Sequence, residues 1–256
     1  MEDIGFFDDF SGTVVTFPAN QNTPWTQTWV IGEQISERFH RVDEVDVARK
    51  LGPSRATIEF ECHRENDLKK GVMRIYLQVP NLKTEFRTPH RRAEQAIASP
   101  THLGIESLKK LQLMGSTVAP KLLAVHQDKQ SDTGAVPGGY INYLVWEKVP
   151  GESFDINWFW GLSDKSRADI RLKFKALYSE VLALGIQIFP PVPSKIIYDF
   201  ETATHSNLIL FRHLGGLVMA TEKGDPLQWD DILYDQFHLL NAPNLKSYQG
   251  GPDWVW

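Results

Sequence analysis

The chain has 256 residues, is 42% hydrophobic and carries a formal net charge of −5. That is enough apolar material for one large core or two small ones, and the mildly acidic balance argues against a general polyanion binder while leaving room for a local basic face. The single cysteine, Cys62, excludes an internal disulfide and any multi-cysteine metal site, and so points to a reducing, cytoplasmic setting.

In chain order, residues 1–28 read as an irregular arm, with Pro18, Pro24 and scattered aromatics. The start "MEDIGFFDDFSG" is acidic and lacks the basic region and long apolar run of a signal peptide. "TWVIGEQISERFHRVD" reads as a strand carrying Val30, Ile35 and Phe39. "ATIEFECHREN" alternates through Ile58, Phe60 and Cys62; "GVMRIYLQVP" carries Val72, Met73, Ile75 and Leu77; polar "ENDLKK" links them. The three segments predict a β-hairpin.

Pro100 breaks the stretch that follows, and a helix is predicted from Thr101 to Gly115, with Ile105, Leu108, Leu111 and Leu113 apolar and Gly115 as its stop. "TVAPKLLAVHQD" reads as a strand, "KQSDTGAVPGG" as a loop, and "YINYLVWEKV" as a strongly apolar, central strand. "FDINWFWGLS" suggests a short helix. "SDKSRADIRLKFKALYSEVLALGI" is the best helix in the chain: Ser163 can cap it, Ile170, Phe174, Leu177, Val181 and Leu184 fall at helical spacing, and Gly185 can end it. "SKIIYDFETATHSNLILFRHLGG" reads as two short strands around a turn, and "QWDDILYDQFHLL" as a last helix. No run approaches the roughly 18 apolar residues of a membrane-spanning helix, so no membrane partner is expected. Strands come first and helices second, which predicts an α+β fold.

That order resembles the two-lobed protein-kinase-like fold, and within it the aminoglycoside-phosphotransferase-like family, including fungal proteins of that type. The likeness spans roughly residues 55–215 and rests on two phrases, "GIESLKKLQLMGSTVAPKLLAV" and "YLVWEKVPGESF". It implies an arm over 1–28, a β-rich N-lobe with one long helix over 29–147, and a helical C-lobe with a small hairpin and tail over 148–256. The family's catalytic parts do not follow. Phosphoryl transfer needs a lysine–glutamate pair, a glycine-rich loop, a base, and metal-binding Asn and Asp. Arg74 stands where the lysine is expected, with Glu106 as its expected partner. Ile188, Pro190 and Lys195 take the places of the catalytic-loop His, Asp and Asn, and Phe211 and Arg212 fall near the place of the second metal-binding Asp. "WVIGEQIS" has a single glycine. Magnesium-dependent phosphoryl transfer is therefore not the expected activity, and neither cofactor nor metal is expected.

The resemblance would gather polar groups in an interlobe cleft that takes a small-molecule or amino-acid ligand: Arg74, Glu106, Lys195 and Arg212 to hold it, with Glu147, Tyr198 and Asp199 as catalytic groups. The eight histidines show no HxxxH or HExxH spacing. Cys62 and His63, adjacent on a strand, face opposite ways. Two basic clusters, Arg87/Arg91/Arg92 and Arg167/Arg171/Lys173/Lys175 (with Lys165), read either as solvated faces or as contacts to a phosphate backbone.

Two functions follow. The first is an enzyme: a kinase-like scaffold turned to biosynthesis. It looks like the fungal arginine-containing cyclodipeptide synthases, which form peptide bonds from aminoacyl-tRNA in secondary metabolism. The basic clusters would then contact tRNA. The second is a non-catalytic, pseudokinase-like binding module, which explains the lost motifs with fewer assumptions.

Overall fold

The computed structural model describes residues 10–19, 24–199, 209–211 and 227–240. Among them the chain is α+β, with nine strands and six helices. It divides into two compact units: Met1–Thr101 with Leu122–Lys148, and His102–Lys121 with Val149–Trp256.

The first unit is an antiparallel sheet of β1 (Val14–Phe17), β2 (Gln27–His40), β3 (Arg55–Arg64), β4 (Lys70–Gln78), β5 (Leu122–Lys129) and β6 (Tyr140–Glu147). Its strand order is β1-β2-β3-β4-β6-β5. The expected hairpin is β3–β4, and its register explains the core. Ile58 faces Ile75, Phe60 faces Met73 and Ala56 faces Leu77. Because side chains alternate across a strand, these residues share one side of the sheet, where they are buried with Trp29, Ile31, Phe17 and Val145. The apolar "YINYLVWE" lies between β4 and β5.

Two short helices complete this unit: α1 (Glu44–Ala48) and α2 (Pro89–Ala93). Neither was expected, since five residues are too few to show helical periodicity. Val14–Phe17, read as part of an irregular arm, instead pair with β2. A four-residue strand with only Phe17 fully buried gives almost no alternation signal.

The second unit holds α3 (Leu103–Leu113), α4 (Ile156–Gly161), α5 (Asp164–Ala183) and α6 (Ile232–Gln236). Its sheet is β7 (Glu152–Ser153), β8 (Ile196–Tyr198) and β9 (Ile209–Phe211), in that order. Helix α3 buries Ile105, Leu108 and Leu111. Leu113, expected on the same apolar face, is 81% exposed, because it is the last residue of α3 and lies about 200° round the helix from Leu111; Gly115 turns the chain just beyond it at φ 67°. The Ser163 hydroxyl caps α5 by accepting the Ser166 N–H. Its buried stripe is Ile170, Phe174, Tyr178, Val181 and Leu182. Phe174 and Tyr178 meet Phe211, Phe237 and Trp229 at ring separations of 5.0–6.1 Å, so the aromatic-rich composition is largely core here.

Candidate functional site

Arg74 sits on β4 with its side chain away from the apolar core, directly opposite Glu59 on β3. Its Nε donates to Glu59 Oε1 at 3.0 Å, its Nη2 forms an ion pair with the same carboxylate, and its Nη1 donates to Tyr76 Oη at 3.3 Å. The guanidinium lies 5.2 Å from the Trp146 ring centroid. Burial alone would lower its pKa, but Tyr76 and Glu59 outweigh burial and hold it raised. Glu59 is thus the ion-pair partner of Arg74. Glu106, the expected partner, is exposed on α3 and pairs with Lys109 one turn on, at 2.9 Å. Glu59 falls at a polar position of the alternation, as Glu61 does, so nothing in the sequence marks it; only the register shows which residue it faces.

Lys195 is 2% exposed, and its Nζ donates to the Phe189 carbonyl. A single 3-10 turn, Pro193–Lys195, delivers it there. Its ammonium therefore ties down the backbone just before Pro190. Tyr198 ends β8, 5% exposed, and Asp199 follows at 4%. The Tyr198 ring meets Trp158 of α4 at 5.0 Å and Phe154 at 6.2 Å. Helix α4 is fixed by Asp155, whose carboxylate accepts the N–H groups of Asn157 and Trp158, so Trp158 is held against β8. Trp158 was not singled out in the sequence, where it is one of three aromatics in "NWFW". Glu147 is the last residue of β6 in the first unit, half-buried and opposite Gly71. Arg212 lies outside the described residues, as do the histidines at 205 and 213.

The basic clusters separate into two kinds of residue. Arg92 donates to Ala135 O and to Arg87 O, both at 2.7 Å, so it holds loops together. Arg87 pairs with Glu44 and Arg91 with Glu94, both exposed. On α5, Arg171 is 6% exposed, donates to Leu239 O at 2.7 Å and lies 5.4 Å from the Phe159 ring; burial lowers its pKa. Arg171 is thus core rather than a phosphate contact. Arg167 pairs with Asp164 and lies over Trp160, Lys173 pairs with Asp169, and Lys175 lies over Trp229 beside Asp231. The helix is not an open positive stripe: Arg171 is buried, and Arg167, Lys173 and Lys175 have local acidic partners.

No protein-family model and no curated protein matches the chain. Among solved structures it is similar to a ROP18 kinase domain in complex with AMP-PNP and sucrose, at 13% identity and a TM-score of 0.43, covering 80% of this chain and 56% of that one. It is also similar to the bifunctional kinase-methyltransferase WbdD, at 12% identity and a TM-score of 0.39, covering 84% and 44%. The chain spans about half the length of these solved chains. Among the described residues no helix is long and apolar enough to cross a membrane.

Proposed function

We propose that this chain has a protein-kinase-like fold turned from phosphoryl transfer to peptide-bond formation, as an arginine-containing cyclodipeptide synthase that draws on aminoacyl-tRNA. The observation that carries the reading is the buried Tyr198–Asp199 pair at the end of β8, with Trp158 packed on the phenol ring. In aminoacyl transfer the α-amine of one aminoacyl group attacks the ester carbonyl of another. The C–N bond forms, the ester C–O bond breaks, and the ribose hydroxyl leaves with a proton given up by the amine. A second attack, by the free amine of the dipeptidyl ester on its own ester carbonyl, closes the ring, breaks the remaining ester C–O bond and releases the second ribose hydroxyl with the amine's proton. This chemistry needs a positioned base to move the proton and a donor for the oxyanion. Asp199 is the base in this reading and the Tyr198 hydroxyl the donor. Trp158 offers a flat face to a substrate guanidinium. None of these steps calls for a nucleotide.

The test is expression of the full chain in a bacterial host, with mass spectrometry of the medium. A new arginine-containing cyclic dipeptide is expected. Asp199→Asn is expected to abolish it while the circular dichroism spectrum stays unchanged. Absence of product from the unaltered chain ends the reading, and product at the unaltered level from Asp199→Asn removes Asp199 from the site.

A second reading, a non-catalytic pseudokinase-like binding module, is favoured by Arg74. In the kinase-like alignment that position holds the phosphate-binding lysine, and here its charge is taken by Glu59. Thermal shift with a magnesium–ATP analogue tests that role of Glu59: a nucleotide-dependent rise would restore phosphate binding and contradict it.

A further inference from the structure

The loop between β4 and α2 is pinned from behind and presents an aromatic ring in front. Behind it, Thr84 is 1% exposed and donates its hydroxyl to Asn81 O at 2.7 Å. Gln95 donates to Thr84 Oγ1 and accepts from Asn81 N, both at 2.9 Å. Arg41 pairs with Glu85, and Arg92 holds Arg87 O at 2.7 Å. Lys83 sits at φ 68°, a left-handed conformation that a non-glycine residue keeps only where its surroundings enforce it. In front, Phe86 is 90% exposed, flanked by Lys83 and by Arg87 and Arg91.

A fully solvated phenylalanine on a flexible tip would be unremarked. One carried by a loop that partly buried hydrogen bonds pin in place is pre-organised for a partner. The flanking charges indicate which kind. The Arg87–Glu44 and Arg91–Glu94 pairs are exposed, so each contributes little and both guanidinium groups are readily exchanged onto phosphates. An anionic bilayer responds to summed surface charge, and here Glu44 and Glu94 offset much of it. A ring preceded by Lys83 and followed by Arg87 and Arg91 instead matches the recognition of unpaired bases: stacking on the ring and phosphate contacts beside it.

We infer that Phe86, with Arg87, Arg91 and Lys83, is a stacking platform for single-stranded RNA. The inference rests on the aminoacyl-transfer reading only for which RNA is involved, namely the unpaired end of an aminoacyl-tRNA.

The experiment is fluorescence anisotropy of the full chain with a short fluorescein-labelled single-stranded RNA, with a duplex of the same sequence as control. The single strand is expected to bind more tightly than the duplex. Phe86→Ala should weaken binding about tenfold or more, and Phe86→Trp should restore it. Arg87→Gln and Arg91→Gln should each flatten the plot of log affinity against log salt by about 0.7. The unfolding midpoint of Phe86→Ala should not move, because the ring is in water. Unchanged RNA binding by Phe86→Ala overturns the inference. So does Phe86-dependent sedimentation with phosphatidylserine vesicles in a chain that fails to bind RNA. Phe86-dependent RNA binding in a chain that makes no cyclic dipeptide leaves this inference standing and ends the aminoacyl-transfer reading. Dipeptide production and RNA binding both unaffected by Phe86→Ala do the reverse.

Discussion

Arg74 and Glu59 face each other across the β3–β4 ladder and form an ion pair with each side chain 7% exposed. Removing the acid alone strands a buried guanidinium, and breaking such a pair costs about 3–5 kcal/mol. Glu59→Ala is therefore expected to lower the urea midpoint sharply. The double change Glu59→Leu with Arg74→Met, which removes both charges at similar volume, is expected to recover most of the loss. Additive losses in the double variant would show that the two side chains act independently.

Cys62 is 5% exposed on β3, and burial, with Glu61 beside it, pushes the thiol up from 9.0 to about 12. Thiolate is the reactive form, so the native chain is expected to resist an aromatic disulfide reagent at pH 8 and to react once unfolded in urea. The folded thiol keeps its proton where the unfolded one loses it. The contribution of Cys62 to stability is thus constant below about pH 9 and declines as the pH rises towards 12. A denaturation series across that interval checks the sign, with Cys62→Ala as the control that lessens the decline; Tyr140, Tyr143, Tyr178 and Tyr234, pushed up by burial from 10.0 to about 12, supply the rest.

Tyr178, fully buried on α5, accepts the Ile188 N–H at 3.2 Å. Tyr178→Phe keeps the ring packing but leaves that amide without its acceptor, a loss of about 1–3 kcal/mol. Urea unfolding measures it. A variant as stable as the parent would mean that water replaces the hydroxyl.

Ser163→Ala removes the side-chain cap of the 20-residue α5. The expected loss is about 1 kcal/mol, and Ser163→Asp should restore the cap.

The sequence was most legible where periodicity runs long. The β3–β4 hairpin and α5 follow from alternation and from the 3.6-residue stripe, and the glycines at 115 and 185 mark helix ends. The partner of Arg74 was not legible, because register is a tertiary fact: Glu59 and Glu106 are equally good carboxylates on paper. Charge clusters misled for the same reason. Counting cannot separate Arg92, which binds backbone carbonyls, or Arg171, which is buried beneath α4 aromatics, from Arg87 and Arg91, whose partners are exposed acids. Phe86 was passed over because one aromatic in a polar loop has no pattern. Its significance comes from the buried Thr84 and the half-buried Gln95 behind it.

The order of synthesis gives the placement of α3 a consequence. This helix is encoded between β4 and β5, yet it groups with residues from Val149 onward. When Lys148 leaves the ribosome, every strand of the first sheet has been made, while Ile105, Leu108 and Leu111 still await the rest of their unit. A chain stopped at that point would carry a finished sheet and an orphaned greasy helix. A nascent chain passes through that state each time it is made, and α3 is where a chaperone would find it.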